Sequence, residues 1–252
     1  MSGHSKFHNI KARKGAQDAK RGQIFTKISR EIMVAVKEGG PSPDTNIKLK
    51  MAIQKGRDNS MPNDTIQSAI KRASGAQDGA NYEQVNYEGY APGGVAVLVE
   101  TLTDNKNRTV SEVRTAFSKH NGNLGSAGSV SYLFDRKGQI IISKEGNDED
   151  NIMEIALEAG AEDIKTDDEE VIEIITEATD YPAVREAFEN AGISFINAEV
   201  TMIPQTTNLI TDPKVGKQIL KIIDRLEECD DVQKVYANYE IDESIEEEVN
   251  NL

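Results

Sequence analysis

The chain is poor in the residues on which most enzymes and disulfide-stabilised proteins depend. Its 252 residues include one cysteine, three histidines and no tryptophan. A single cysteine, Cys229, excludes an intrachain disulfide and a zinc site built from cysteines. With so few histidine and cysteine side chains, acid–base and nucleophilic catalysis have few candidate groups. We therefore predict a protein that is not an enzyme and that has neither a cofactor nor a metal.

Long apolar runs and the common catalytic motifs are also absent. No uninterrupted apolar run exceeds five residues, the length of Val95–Val99. A run this short excludes a transmembrane helix and the apolar region of a signal peptide. The phosphate-loop, nucleophile-elbow and H-E-x-x-H patterns do not occur. These absences predict a cytoplasmic protein that acts on no membrane and no small-molecule substrate.

Charge is distributed very unevenly along the chain, although the net value is −14. Residues 1–80 carry 15 Lys/Arg and 7 Asp/Glu, and residues 138–252 carry 8 Lys/Arg and 30 Asp/Glu. Charges of opposite sign at two ends orient a molecule toward a charged partner. The basic end predicts a nucleic-acid partner, with a cleaved transit peptide as the alternative. The acidic half has two open interpretations, a solvated surface or a docking surface for a basic partner.

Helical periodicity dominates the first third of the chain. Apolar residues at spacings of three and four predict helices over residues 24–38, 46–57 and 62–73. In the first helix, Phe25, Ile28, Ile32 and Val36 form the apolar stripe, and Lys27, Arg30 and Lys37 lie opposite it. In the second helix, Ile47 and Met51 are expected to face inward, with Leu49 and Ile53 as further candidates.

The remaining chain alternates between strand and helix patterns. Strands over 82–90 and 95–102 form a hairpin, and the capping box Thr109–Glu112 begins a helix. A second hairpin is expected from strands 129–134 and 139–143. The elements that follow are a helix at 151–159, a strand at 171–176, a helix at 180–191, a strand at 194–203, a helix from Asp212 to about Cys229 and a strand at 232–239.

These elements predict an α+β fold with three domains. An N-terminal helical bundle precedes two ferredoxin-like α/β domains, one inserted in the other. The last helix and strand lack a complete partner nearby, as does the first hairpin, so we join them into one domain. The predicted boundaries are a basic arm at 1–22, a helical domain at 23–78, an α/β domain at 79–129 and 205–240, an inserted acidic α/β domain at 130–204, and a frayed acidic tail at 241–252.

Two loops are candidates for contact with an anion. Lys106 and Arg108 precede the predicted helix N-terminus, where cations are unfavourable and an arriving phosphate would be favoured. The alternative there is an exposed turn. The glycine-rich loop at 122–128 is interpreted either as a helix cap with a tight turn or as backbone amides that approach a phosphate.

We predict that nucleic-acid phosphates bind to the basic arm, the polar face of the first helix and the loop before Thr109. The residues assigned to this site are Lys6, Lys11, Arg13, Lys14, Lys20, Arg21, Lys27, Arg30, Lys106 and Arg108. Lys and Arg contacts to phosphate do not depend on sequence. DNA and ribosomal RNA therefore both remain candidate partners.

Several long motifs resemble the YebC/PmpR family, over nearly the whole chain. The N-terminal ones are Gly3-His4-Ser5-Lys6, Asn9-Ile10-Lys11, Ala16-Gln17-Asp18-Ala19-Lys20-Arg21-Gly22 and Phe25-Thr26-Lys27. The later ones are Tyr87-Glu88-Gly89-Tyr90, Pro92-Gly93-Gly94-Val95-Ala96-Val97, Thr103-Asp104-Asn105, Asn107-Arg108-Thr109, Phe117-Ser118-Lys119-His120, Gly122-Asn123-Leu124-Gly125 and Gly128-Ser129-Val130. Phe7 departs from the Trp usual in the family but keeps an aromatic ring.

The resemblance implies a three-domain cytoplasmic protein, with a helical N-terminal domain and two α/β domains. It further implies a transcriptional regulator that binds DNA and has no enzymatic activity. Relatives of the family include mitochondrial translational activators, which implies translation at the ribosome as the alternative role. A mostly acidic body with one basic end is better suited to insertion into a confined RNA site than to wrapping free DNA.

Overall fold

The computed structural model describes residues 21–75 and 81–250. It divides into two compact units, each with its own sheet. Among the described residues, the first unit contains 21–75, 81–131 and 212–237, and the second contains 132–211 and 238–250. The predicted acidic domain at 130–204 falls mostly in the second unit, and its exact limits remain predictions. No described helix is long and apolar enough to cross a bilayer.

Three helices make up the N-terminal part of the first unit. They are α1 (Arg21–Gly39), α2 (Ile47–Asp58) and α3 (Asn63–Ser74). The predicted stripe of α1 is confirmed, since Ile28, Ile32 and Val36 are buried and Phe25 packs against the same core. Asn46 caps α2 by accepting a hydrogen bond from the Leu49 amide at 3.1 Å. A side-chain acceptor at this position satisfies an amide that the helix itself leaves free.

The inward face predicted for α2 is wrong in part. Leu49 and Ile53 are buried, whereas Ile47 is 73% exposed and Met51 is 37% exposed. Leu49, Ala52, Ile53 and Gly56 form the buried side, which faces α1 and α3. Two apolar residues one turn apart suggested a stripe, but the small residues Ala52 and Gly56 allow closer helix packing on the other side.

The first unit continues into a four-stranded antiparallel sheet with the order β3-β1-β2-β9. Its strands are β1 (Glu83–Ala91), β2 (Val95–Thr103), β3 (Asn123–Leu124) and β9 (Val232–Ala237). Its helices are α4 (Lys106–Ser118) and α7 (Pro213–Glu227), which pack on each other. The predicted β1–β2 hairpin is confirmed, with Glu83 opposite Thr103. The late strand β9 adds to β2, so the two sequence segments that lacked partners lie in one sheet.

The second unit has a sheet of order β5-β6-β4-β7, antiparallel throughout. The chain order of its elements is β4 (Phe134–Ser143), α5 (Glu149–Glu158), β5 (Asp163–Lys165), β6 (Val171–Glu177), α6 (Tyr181–Asn190) and β7 (Asn197–Pro204). This is the βαββαβ order of a ferredoxin-like domain, with both helices packed over apolar residues of the sheet. The structure thus confirms the predicted α+β class.

The predicted hairpin of strands 129–134 and 139–143 is wrong. Residues 134–143 form the single strand β4, preceded by the short 3-10 turn Ser131–Leu133. Gly138 lies in the middle of β4, where a Cβ would stand 2.3 Å from Thr176 Oγ1 and 2.6 Å from Tyr181 Cβ. Glycine is therefore needed here for close packing against Thr176 of β6 and Tyr181 of α6, although in the sequence it resembles a turn signal.

The predicted frayed tail is also wrong for the described residues. Strand β10 (Tyr239–Ile241) pairs in parallel with β8 (Asn208–Ile210), and a helical turn leads to α8 (Glu246–Asn250). Ile241 and Val249 are buried. These two apolar residues hold the acidic segment in the second unit, and the surrounding glutamates obscure them in the sequence.

Candidate nucleic-acid interface

The predicted cationic site is only partly within the described chain. Lys6, Lys11, Arg13, Lys14 and Lys20 lie outside the described residues. Arg21, Lys27 and Arg30 are on α1, and Lys106 and Arg108 are in the first turn of α4. The described members therefore divide into two groups, and all of them belong to the first unit.

Lys27 and Arg30 do not form the free polar face expected of α1. The Lys27 Nζ donates to the backbone carbonyl of Glu227 at 2.9 Å. The Arg30 side chain is only 15% exposed and pairs with Asp231 at 3.1 Å. Its guanidinium also donates to the Asp230 carbonyl and lies 5.4 Å from the centre of the Tyr82 ring. These cations join α1 to the sheet part of the same unit, because their partners are some 200 residues away in the sequence.

The start of α4 differs from the predicted capping box. The helix begins at Lys106, and Asn105 caps it by accepting from the Arg108 amide at 3.1 Å. Both cations therefore lie inside the first helical turn, where the helix dipole disfavours them. Each of the two cations is paired with a carboxylate. Lys106 pairs with Glu83 at 2.6 Å, and Arg108 pairs with Asp231 at 2.7 Å. The conflict that suggested an arriving phosphate is relieved by side chains of the protein itself.

Asp231 is the centre of this arrangement. Its side chain is 3% exposed and accepts from Arg108, Arg30 and the Thr109 hydroxyl, the last at 2.8 Å. Burial alone raises the pKa of a carboxyl, but the hydrogen bonds and positive charges here outweigh burial, so that the pKa of Asp231 lies below its ordinary value. The pKa of Arg108 is raised by the same bond. Sequence patterns gave no signal for Asp231, which stands among other acidic residues.

The glycine-rich loop also has an internal anion. The backbone amides of Gly128, Val130 and Ser131 donate to the Glu88 carboxylate at 2.8, 2.7 and 2.8 Å. Burial raises the pKa of Glu88, yet these three donors outweigh it and the pKa lies below its ordinary value. The interpretation of this loop as amides that approach a phosphate is corrected in one respect: the amides bind a carboxylate from β1.

Exposed cations that the sequence analysis did not assign lie on the other two helices of the N-terminal part. They are Lys50 and Arg57 on α2 and Lys71 and Arg72 on α3. Within residues 21–75 and 81–250, none of these four side chains has an ion pair or hydrogen bond, whereas Lys48 and Lys55 pair with Glu38 and Glu31. No local sequence signal separates the two sets, because Lys48 and Lys55 pair with glutamates that lie 10 and 24 residues away in the chain.

A polar cleft of about 590 Å³ lies beside Asp231 and contains Cys229 in its wall. The Cys229 thiol donates to Glu112 at 2.7 Å. Burial, reinforced by Glu112, raises the pKa of this thiol to about 11, so it stays protonated near neutral pH and is a poor nucleophile. In the described part of the chain, no three His, Cys, Asp or Glu side chains come together as metal ligands.

Comparison with known proteins gives one consistent family. Residues 5–76 match the model described as the TACO1/YebC protein N-terminal domain, and residues 82–239 match the TACO1/YebC second and third domain. A "Probable transcriptional regulatory protein" of Clostridium tetani is 57% identical over 98% of this chain and 100% of its own length. One of the same description from Persephonella marina is 52% identical over 99% of this chain and 100% of its own length.

A solved structure is also similar throughout. The crystal structure of a conserved hypothetical protein from Aquifex aeolicus matches with a TM-score of 0.81 and 46% sequence identity, over 91% of this chain and 94% of that chain.

Proposed function

Because the chain belongs to the TACO1/YebC family, we propose that it is a non-enzymatic regulator of gene expression that binds DNA through the first unit. Relatives described as probable transcriptional regulatory proteins support the regulatory role. The raised pKa of the Cys229 thiol supports a role without nucleophilic catalysis. The proposed place of action is the cytoplasm.

The observation that carries the proposal is the set of exposed cations without partners on α2 and α3. A Lys or Arg already paired with a carboxylate must lose that pair before it can bind a phosphate, whereas an unpaired one gains the whole interaction. Lys50, Arg57, Lys71 and Arg72 are unpaired within the described residues. Residues 1–20 add five more Lys/Arg against one Asp. We propose that these two groups together neutralise phosphates.

The sequence analysis assigned phosphate contact to Lys27, Arg30, Lys106 and Arg108. These four residues have a different role in the proposal. Carboxylate and carbonyl partners of Lys27, Arg30 and Arg108 fix α1 and α4 within the first unit, whereas Lys106 has only an exposed pair with Glu83. We propose that Lys27, Arg30 and Arg108 hold the surface in place and that Lys6, Lys11, Arg13, Lys14, Lys20 and Arg21 contact phosphate.

A second candidate function is that of a translation factor that binds ribosomal RNA. The observation in its favour is the excess of acidic residues in the second unit, which has 25 Asp/Glu and 5 Lys/Arg in residues 132–211 and 238–250. A strongly acidic unit is repelled by nucleic acid, so binding through one basic end suits a confined RNA site.

The experiment that tests the proposed function measures affinity for three probes: a duplex DNA of about 30 base pairs, a fragment of ribosomal RNA and intact ribosomes. The variant Lys50→Gln/Arg57→Gln/Lys71→Gln/Arg72→Gln is compared with a charge-preserving control, Lys50→Arg/Lys71→Arg. We expect the first variant to bind roughly tenfold or more weakly and the control to bind like wild type. Tighter binding to duplex DNA supports the transcriptional role, and tighter binding to ribosomes supports the translational one. If the protein shows no salt-dependent binding to any of the three probes, both candidate functions are contradicted.

A further inference from the structure

Helix α7 has two faces of opposite character. Ile219, Ile222, Ile223 and Leu226 are buried against the sheet and α4. On the other side, Lys214, Lys217 and Lys221 follow one another at spacings of three and four residues. This spacing aligns the three ammonium groups along one face of the helix. We call these three residues the α7 lysine stripe.

The α7 lysine stripe has no partner among the residues that the structure describes. Within residues 21–75 and 81–250, no side-chain hydrogen bond or ion pair is formed by Lys214, Lys217 or Lys221. The next cation on this face, Arg225, pairs with Glu228 at 3.0 Å, so the unpaired stripe ends before it. Lys214 and Lys221 are exposed and Lys217 is partly exposed. All three charges therefore have access to solvent.

The position of the stripe is unfavourable for the free protein. Lys214 lies in the first turn of α7, and that turn contains no acidic residue. The Asp212 side chain at the cap accepts from the Lys214 amide at 2.8 Å and is the acidic group at that end. Cations at a helix N-terminus are disfavoured by the dipole. The same conflict exists at the start of α4, but there Glu83, Asp104 and Asp231 neutralise the cations.

The spacing of the stripe fits a phosphodiester backbone. A helix rises about 1.5 Å per residue, so that Lys214 and Lys221 are about 10 Å apart along the axis. One strand of a duplex presents a phosphate about every 3.4 Å along its axis. Three lysines on about 10 Å of helix therefore span about three phosphate intervals of one strand, and an external anion would relieve both the lysine repulsion and the dipole conflict.

We propose that the α7 lysine stripe is a second binding surface for the phosphodiester backbone of a nucleic acid, more than 130 residues beyond the cations of α3. The inference rests on the proposed function, because it adds a contact to the same polyanion. It places a phosphate contact on the sheet part of the first unit, where Lys106 and Arg108 of α4 are already paired with carboxylates.

The test compares two triple variants of the full chain. Lys214→Gln/Lys217→Gln/Lys221→Gln removes the charges, and Lys214→Arg/Lys217→Arg/Lys221→Arg keeps them. Each is titrated against a labelled duplex DNA of about 30 base pairs and against an RNA hairpin of similar length, over a series of salt concentrations. Thermal unfolding of each variant is recorded alongside as a measure of folding.

We expect the Gln variant to fold normally, to bind at least one probe roughly tenfold or more weakly, and to show a salt slope that is shallower by about 2 to 3. The Arg variant should bind like wild type. Loss for only one probe identifies DNA or RNA as the source of the phosphates. If wild type binds well and the Gln variant has the same affinity and the same salt slope, the proposal for the α7 lysine stripe is overturned, while the proposed function stands. Absence of binding by wild type would overturn the proposed function with it.

Discussion

The second unit pairs its cations internally, whereas the helical part of the first unit leaves several of them unpaired. In the second unit, Lys137, Lys144, Lys165 and Arg185 each pair with a glutamate of the same unit. Of its five described cations only Arg136 has no such pair. In residues 21–75, by contrast, four exposed cations on α2 and α3 have no described partner.

The difference indicates which positive charges an external anion can use. An exposed ion pair contributes little to stability, but it lowers the local field that a phosphate would meet. The total number of Lys and Arg residues therefore predicts phosphate binding less well than the number of Lys and Arg residues that have no carboxylate partner. By this criterion Lys106 and Arg108, assigned from the sequence, are weaker candidates than Lys50, Arg57, Lys71 and Arg72.

The largest effect is expected from removing the carboxylate that pairs cations in the first unit. Asp231→Ala leaves Arg30 and Arg108 without their shared partner and should lower the free energy of unfolding by about 3 kcal/mol. The matched control is Asp230→Ala, since Arg30 uses only the backbone carbonyl of Asp230. Denaturant unfolding of both variants measures the difference. Equal stability of the two would refute the central role of Asp231.

A smaller loss is expected when the charge of Glu88 is removed. Glu88→Gln keeps the shape of the side chain but turns an amide nitrogen toward backbone donors, which should cost roughly 1.5–3 kcal/mol. Glu83→Gln is the control, because Glu83 is exposed and pairs only with exposed Lys106. Chemical unfolding at neutral pH provides the comparison. A Glu88 variant as stable as the control would mean that the glycine-rich loop does not depend on this carboxylate.

The stability of the protein at acid pH should also depend on the Glu88 carboxylate. The pKa of Glu88 is lower in the folded protein than its ordinary value of 4.5. Its contribution to stability is therefore fully present above about pH 4.5 and is lost as the pH falls through the lower, folded pKa. We expect the stability of wild type to fall more steeply with acid below this pH than that of Glu88→Gln. Parallel curves for the two proteins, followed by circular dichroism, would contradict the assignment.

The two cations at the start of α4 should differ from each other. Arg108→Ala removes a partner of buried Asp231 and should destabilise the protein by about 1–2 kcal/mol, a value reduced because the Arg108 side chain is 44% exposed. Lys106→Ala removes only an exposed pair and should leave the melting temperature close to that of wild type. A stabilising effect of Arg108→Ala would restore the interpretation of this residue as a cation that awaits a phosphate.

Local patterns predicted much of the fold. The apolar spacing of Ile28, Ile32 and Val36 is enough to define the buried face of α1, and β-branched residues define β2. Such features depend on neighbours within one or two turns, so the sequence displays them directly. The class of the fold and the β1–β2 hairpin follow from them.

Features that depend on distant residues could not be predicted in this way. Gly138 lies in the turn predicted between strands 129–134 and 139–143, and only the close approach of Thr176 and Tyr181 shows that it belongs inside β4. The helical pattern of α1 places Arg30 on a polar face, and only the structure shows that Asp231 lies beside it. Ile47 looks like a core residue until the closer packing of Ala52 and Gly56 is seen. The candidate site was predicted least well, because the pairing of cations with carboxylates is decided by contacts across the unit.

The measurement that tests the central claim most directly is the salt dependence of nucleic-acid affinity for three proteins. These are wild type, the variant Lys50→Gln/Arg57→Gln/Lys71→Gln/Arg72→Gln, and Arg136→Gln as the control from the second unit. If unpaired cations of the helical part bind phosphate, the slope of log K against log salt should be shallower by roughly 3 in the helical variant and unchanged in the control. An unchanged slope in the helical variant, at wild-type stability, would contradict the account.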